Sequence, residues 1–354
     1  MKIAILPGDG IGPEISAATR LVLEAADRKH GLGFQFSEVD IGFRALESQG
    51  STFPDSAYEA AKAADAVILG PVSHLDYPSR DKGGLNPSGE LRKRLDLYAN
   101  IRPAATRAAL PSATGASFDM VIYRENTEGF YADRCMHTGA GELQVTAEVT
   151  LAMRRITRHA SMRIAEAAFA GAMQRRRKVT AIHKQNVLKI TDGLFLSCCR
   201  EVAARYPQIE YDELIIDAAC AHLVRRPEAF DVIVTTNMFG DILSDLASEL
   251  SGSLGLAASI NAGDGLAMAQ AQHGSAPDIA GKSIANPASL IGSTGMLLEW
   301  IGNEKKQMAL IDAGKSILQA LNGAIANSET RTRDLGGTLD TDAFAKRVAD
   351  ALTQ

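Results

Sequence analysis

Short runs of β-branched and aliphatic residues alternate with amphipathic stretches along most of the chain, the rhythm of an α/β protein whose strands are buried on both faces. Such runs occupy 2–6, 66–69, 120–123, 179–182, 214–216 and 232–234, and 34–39 alternates like a further strand. Apolar residues at helical spacing predict helices over 15–28, with Leu21, Leu23, Ala25 and Ala26 on its face, and over 54–64, 90–98, 157–173, 193–206, 287–301, 305–324 and 341–352. The segment 134–150 alternates through Leu143, Val145, Ala147 and Val149 without a helical stripe, which predicts a projecting hairpin. A lone hairpin is marginally stable in water, so this one is expected to pack on a partner.

Composition narrows the class. With 354 residues, 46% hydrophobic and 22% charged, the chain can bury a large core in two domains or one elaborated α/β unit. A net charge of −5, with no basic tract beyond 175–178, argues against nucleic acid as a partner. No apolar run approaches the roughly 20 residues of a membrane span, so no membrane partner is expected. Met1-Lys2 leads directly into a strand, and Cys135, Cys198, Cys199 and Cys220 show no paired spacing. A reducing cytoplasm is the expected compartment, with Cys198 and Cys199 in a core.

The candidate chemistry collects where strands end. In FDVIVTTNMFGDILSDLASEL (230–250), Gly240 is read as the turn from a buried strand into a helix with apolar stripe Ile242, Leu243, Leu246 and Leu250. Asp241 and Asp245 are then one turn apart on a flank. Either they share a hard cation such as Mg²⁺ or Mn²⁺, or Asp241 serves the helix dipole and Asp245 is solvated. Asp217 follows the 214–216 run as a third acid at a strand end, and Lys184 follows 179–182, where a desolvated lysine can act as general base. Arg92 and Arg102 are either two ordinary surface arginines or a pair of guanidiniums for one anionic substrate. Arg124 to Tyr131 is polar directly after a strand. The turn PGDGIGPE (7–14) suggests phosphate binding, yet its glycine spacing is not G-x-G-x-x-G, so the Rossmann fingerprint is not met. The loop 72–89 has a length that signals function, and HGSAPDIAG (273–281) offers backbone amides and one carboxylate to an adenosine phosphate.

Six ordered motifs, GDGIGPE (8–14), LRKRLDLYANIRP (91–103), YRENTEGFY (123–131), HKQNVLKITDGLF (183–195), NMFGDILSD (237–245) and HGSAPDIAGKSIANP (273–287), make the chain resemble the isocitrate/3-isopropylmalate dehydrogenases. The resemblance spans nearly the whole chain. It implies two α/β domains around a mixed sheet with a non-Rossmann cofactor site: a discontinuous cofactor domain (1–100 and 250–354), and a small domain (101–249) with an intersubunit clasp near 134–150 and dimer helices. It further implies NAD(P)- and metal-dependent oxidative decarboxylation of a malate by a homodimer with shared sites. In that scheme Asp217, Asp241 and Asp245 ligate Mg²⁺ or Mn²⁺, with Asp217 and Lys184 supplied by the second chain. Arg92, Arg102 and Arg124 grip substrate carboxylates, Lys184 takes the C2 hydroxyl proton, and Tyr131 returns a proton to C3. Ile11, His273, Gly274, Ser275, Ala276, Pro277, Asp278, Ile279 and Asn286 border the cofactor.

Specificity is read from departures within the motifs. Asp278 stands where an acid meets the adenosine ribose hydroxyls and would repel a 2′-phosphate, so NAD is expected over NADP. In the loop Asn86-Pro87-Ser88-Gly89, Ser88 and Gly89 stand ahead of Arg92 where isopropylmalate enzymes tend to place leucines, so a polar 3-substituent, isocitrate-like, is expected. 3-Isopropylmalate, homoisocitrate and tartrate are the alternatives. Gln270-Ala271-Gln272 replaces the family's common Glu-Pro-Val before His273. Regulatory subunits of this family typically lose a metal aspartate, the lysine or the tyrosine. This chain has all of them, which favours a catalyst over a silent subunit.

Overall fold

A computed structural model describes residues 1–131, 136 and 141–353, so Arg134, Cys135 and the start of the expected hairpin lie outside the described residues. The chain divides into two compact units, Met1–Leu95 with Leu254–Gln354, and Asp96–Ser253. The first unit opens with β1 (Lys2–Leu6), α1 (Gly12–His30), β2 (Gln35–Glu38), α2 (Gly42–Gln49), α3 (Asp55–Ala63), β3 (Ala66–Leu69) and α4 (Pro87–Arg94). The second runs through β4 (Ala99–Ala105), β5 (Asp119–Glu125), β6 (Glu142–Thr146), β7 (Val149–Ala152), α5 (Arg158–Ala172) and β8 (Lys178–His183). It continues with α6 (Thr191–Ala203), β9 (Glu210–Ile215), α7 (Ile216–Arg225), β10 (Val232–Thr235) and α8 (Asn237–Ser251). The chain then returns to the first unit as β11 (Ile260–Ala262), β12 (Ala267–Gln270), α9 (Ala288–Lys305), α10 (Met308–Ala326) and α11 (Thr341–Thr353).

Within the first unit the strand order is β2-β1-β3-β12-β11, parallel except for the β12–β11 pair. Within the second it is β4-β5-β10-β8-β9, parallel except for β4 against β5. Every residue of β3 and of β10 is buried, which is why both read as unbroken apolar runs. In the second unit Ile122, Ile182, Ile233, Leu243, Ala247 and Phe230 form one core between the sheet and α8. The ribbon β6–β7 stands apart, exposed at every position on both strands. Among the described residues, no helix is long and apolar enough to cross a membrane.

Four readings of the sequence need correcting. Gly240 lies inside α8, which already begins at Asn237, and does not mark the turn. Ile242 is 52% exposed and leaves the apolar stripe to Leu243, Ala247 and Leu250. Asp217 belongs to the first turn of α7, a helix the short apolar run concealed, and not to a strand end. Leu21 is exposed, while Val22 and Leu23 carry that face of α1 inward.

Candidate active site

The second unit brings most of the acidic and basic candidates together. Its parallel register sets Arg124 of β5 level with Thr235 at the end of β10, so the arginine enters where α8 begins. Arg124 is only 2% exposed. Its Nε and Nη2 donate to Asn237 Oδ1 at 3.0 and 2.7 Å, and Nη1 donates to Asp241 Oδ1. The space for this comes from Gly240: a Cβ there would meet Arg124 Cβ and Cγ at 2.6 Å. Arg102, on the neighbouring β4, donates from Nη1 to Ser244 Oγ at 2.7 Å and lies 3.4 and 3.3 Å from Asp241 Oδ1 and Asp245 Oδ1. Tyr131 donates to Asp241 Oδ2 at 2.9 Å. Five residues singled out from sequence thus meet, together with Asn237 and Ser244, which sequence reasoning missed because hydroxyls and amides inside a helix carry no spacing signal.

The electrostatics are layered. Both guanidiniums are buried beneath carboxylates that reach the surface. Burial, and then the like charge of Arg124, pull Arg102 down to about 10, which leaves it charged at neutral pH. Burial raises the Asp245 carboxyl, and the neighbouring Asp241 raises it further. Two hard oxygen donors one helical turn apart fit a divalent cation in kind, and such a cation would relieve that repulsion. Among the described residues no third acid, histidine or cysteine joins them in a group able to hold a metal ion.

Asp217 is instead paired, in this chain, with Lys184: Nζ donates to Oδ1 at 2.5 Å. That hydrogen bond holds the exposed Asp217 carboxyl below the usual carboxylate range. The main chain of Lys184 is fixed separately, its N–H donating to Asp192 Oδ2 at 2.5 Å. Asp192 is fully buried and paired with Arg154, which also donates to Thr191 Oγ1 and Thr236 Oγ1 at 3.0 Å. The lysine therefore sits on a clamped loop at the end of β8. Asp192 lay inside the motif HKQNVLKITDGLF, yet nothing in its spacing marked it as a clamp.

In the first unit the glycine-rich turn approaches protein, since a Cβ at Gly8 or Gly10 would strike the carbonyl oxygens of Pro71 or Ser275 at 2.1 and 2.0 Å. The close approach that its glycines permit is thus made to the carbonyl oxygens of Pro71 and Ser275. Asp9 is the turn's hub, accepting from Phe43 N–H at 2.8 Å, Ser73 N–H at 3.0 Å and the Tyr77 hydroxyl. The Ile11 N–H donates to Ser275 O at 2.8 Å, and Ser73 Oγ meets Ser275 Oγ at 2.7 Å, so the turn braces the 273–281 loop. In that loop Gly274, Pro277 and Asp278 are exposed while Ala276 and Ile279 are half-buried. His273 Nε2 is buried with no hydrogen-bond partner among the described residues, and burial holds its ring below the usual histidine range. A neutral imidazole edge awaiting a partner fits a polar group of a bound nucleotide. Nearby, Asn286 Nδ2 donates to Asp334 Oδ2 at 2.9 Å, a partner the sequence reading did not include. Asn86 caps α4, its Oδ1 accepting from Gly89 N–H at 3.3 Å. Ser88 and Arg92 are buried and both contact Gln270.

Comparison with known proteins places the chain in one family over nearly its whole length. The family model described as isocitrate/isopropylmalate dehydrogenase matches residues 2–352. The chain is 44% identical over 352 residues to a 3-isopropylmalate dehydrogenase of Archaeoglobus fulgidus, covering 99% of each. It is 42% identical over 353 residues to an isocitrate/homoisocitrate dehydrogenase of Thermus thermophilus, covering 99% of this chain and 98% of that one. A crystal structure of isocitrate dehydrogenase from Methylococcus capsulatus superposes with a TM-score of 0.87 at 38% identity, covering 100% of this chain and 99% of that one. The chain belongs to the isocitrate/isopropylmalate dehydrogenase family, a family of NAD-dependent, divalent-metal-dependent decarboxylating dehydrogenases acting on small molecules, and is an enzyme of that class.

Proposed function

We propose that the protein oxidatively decarboxylates a malate with a polar, isocitrate-like 3-substituent, using NAD⁺ and Mg²⁺ or Mn²⁺. The observation that carries this reading is the cluster of Arg102, Arg124 and Tyr131 around Asp241 and Asp245. The chemistry that NAD⁺ and the cation would supply when bound is acceptance of the C2 hydride and relief of the negative charge developing on the C2 oxygen. Asp241 and Asp245 would hold that cation, joined by Asp217 of the partner subunit. Arg92, Arg102 and Arg124 bind substrate carboxylates through charge-assisted hydrogen bonds. Nζ of the partner subunit's Lys184 accepts the C2 hydroxyl proton, the lysine's main chain being steadied within its own chain by Asp192. After loss of CO₂, the Tyr131 hydroxyl supplies the proton to C3.

Asp278, an exposed carboxylate, supports NAD over NADP because a 2′-phosphate would meet like charge. Exposed Leu143, Val145, Val149 and Leu151 on β6 and β7 support a homodimer clasped through this ribbon. The name of the Archaeoglobus fulgidus relative supports a second reading, 3-isopropylmalate, against which the buried Ser88 hydroxyl argues. Isocitrate, 3-isopropylmalate, homoisocitrate, tartrate and malate assayed side by side with Mn²⁺ and either NAD⁺ or NADP⁺ test both readings. The highest kcat/KM is expected for isocitrate with NAD⁺. A preference for 3-isopropylmalate defeats the polar-pocket argument, and a preference for NADP⁺ defeats the role given to Asp278.

A further inference from the structure

Gln270, the last residue of β12, has no role in the reaction as described, yet its carboxamide contacts α4 at both Ser88 and Arg92. Its Oε1 accepts from Arg92 Nη2 at 2.9 Å and from Asn261 Nδ2 at 3.2 Å. Arg92 has donors only, so it fixes which end of the carboxamide is oxygen. Nε2 then faces Ser88 Oγ at 3.1 Å and donates to it. Ser88 Oγ also lies 3.2 Å from Oε1, but that oxygen already receives two donors, which directs the hydroxyl hydrogen elsewhere. The main chain is held as firmly: Gln270 O accepts from Ser259 Oγ at 2.8 Å and from Ser293 Oγ at 3.2 Å. Ser88, Arg92 and Asn261 are all buried, so solvent does not compete for these contacts.

We propose that Gln270 is a positioning residue for substrate specificity, holding the Arg92 guanidinium and the Ser88 hydroxyl as donors toward an anionic 3-substituent. Two properties of a carboxamide serve this. It is uncharged, so it orients Arg92 without cancelling its charge. It also donates from Nε2, so Ser88 is engaged through its lone pair and keeps its O–H for a ligand. A carboxylate of the same shape reverses both: it pairs with Arg92 as a counter-ion, and it only accepts, which turns the Ser88 hydrogen inward.

The inference rests on the proposal that Arg92 binds a substrate carboxylate, and the test separates the two. Wild type, Gln270→Glu, Gln270→Leu and Arg92→Ala are compared with isocitrate and 3-isopropylmalate, in Mn²⁺ and NAD⁺, with thermal midpoints recorded. Gln270→Glu is expected to raise KM for isocitrate roughly tenfold, the scale of one charge-assisted hydrogen bond, while kcat falls far less. The isocitrate to 3-isopropylmalate ratio of kcat/KM narrows by a similar factor, and the midpoint holds or rises because a new ion pair forms. Gln270→Leu, which loses both orienting contacts, is expected to raise KM without restoring that ratio. An unchanged KM and ratio in Gln270→Glu, while Arg92→Ala raises KM, overturns the role of Gln270 and leaves that of Arg92 standing. A parallel fall of kcat and midpoint in Gln270→Glu also overturns it, as the mark of a structural residue. If Arg92→Ala leaves KM unchanged, or wild type prefers 3-isopropylmalate, the reading of the substrate site fails and takes this inference with it.

Discussion

A buried guanidinium is costly unless its charge and donors are met, and Arg124 meets them with Asn237 and Asp241 on one side of α8. The helix permits this only because residue 240 lacks a side chain. Alanine at that position improves helix propensity by about 1 kcal/mol, but the new methyl presses on the arginine stem, and overpacking of that kind costs about 1–3 kcal/mol. Gly240→Ala is therefore expected to lower the urea midpoint slightly and to reduce kcat/KM by roughly tenfold or more, since a small displacement of a positioned group is expensive in catalysis. Steady-state kinetics beside urea melts check this; full activity would show that Arg124 needs no such precision. Asp278 makes an opposite kind of claim, through charge and without packing. Asp278→Ser removes the carboxylate from the exposed 273–281 loop, and the NAD⁺ to NADP⁺ ratio of kcat/KM is expected to fall about tenfold with little change in thermal midpoint. A ratio that does not move would take the cofactor preference away from this residue.

Elements show how local chemistry is tied together, and α5 is an instance. Thr157 caps it by accepting from Ala160 N–H at 3.2 Å, while its own N–H and hydroxyl donate to the buried Glu128 at 2.8 and 2.9 Å. Burial raises Glu128 to about 7 despite the Thr157 hydrogen bonds, and neighbouring Glu125 adds to the rise. A carboxyl whose folded value lies above its ordinary 4.5 is bound to its proton more tightly in the folded chain. Its contribution to stability is complete below that ordinary value and is lost as pH rises through the folded one. Between pH 5 and 8, Glu128→Gln is expected to flatten the fall in urea midpoint seen in wild type; identical slopes would show that Glu128 titrates normally. Legibility from sequence also varied by element. β1, β3, β8 and β10 were plain because each is an apolar run. β4 was hidden by Asn100, Arg102 and Pro103, and β12 by its alanines, which carry no β-branched signal. The start of α2 is held by Asp9, far away in sequence, through Phe43 N–H, so no local cap announced it. The same holds at the site: Arg102, Arg124, Asp241 and Asp245 were legible as residue types, whereas Ser244 and Asn237 acquire meaning only from what the fold places beside them.

At the scale of the whole molecule, the question is how many chains build one site. Leu143 and Leu151 face each other across the β6–β7 ribbon, 58% and 54% exposed, and a two-stranded ribbon with bare leucines is unstable unless something covers it. In one chain Lys184 pairs with Asp217, and among the described residues no third acid joins Asp241 and Asp245. If a homodimer completes each site with Lys184 and Asp217 of the partner subunit, two defects in different chains complement one another. Lys184→Ala and Asp241→Asn are each expected to be inactive as pure dimers. Mixed by denaturation and refolding, about half the dimers are hybrids, and in each hybrid one site has Asp241 from the first chain and Lys184 from the second. Activity is expected to return to about a quarter of wild type, because one of the two sites in half of the dimers is whole. If lysine and aspartate serve within their own chain, every site of every hybrid carries a defect and mixing restores nothing. Leu143→Asp with Leu151→Asp approaches the same point from the ribbon: light scattering is expected to report a monomer, with turnover lost and the far-ultraviolet dichroism of both units retained. A fully active monomer would place the whole reaction within one chain.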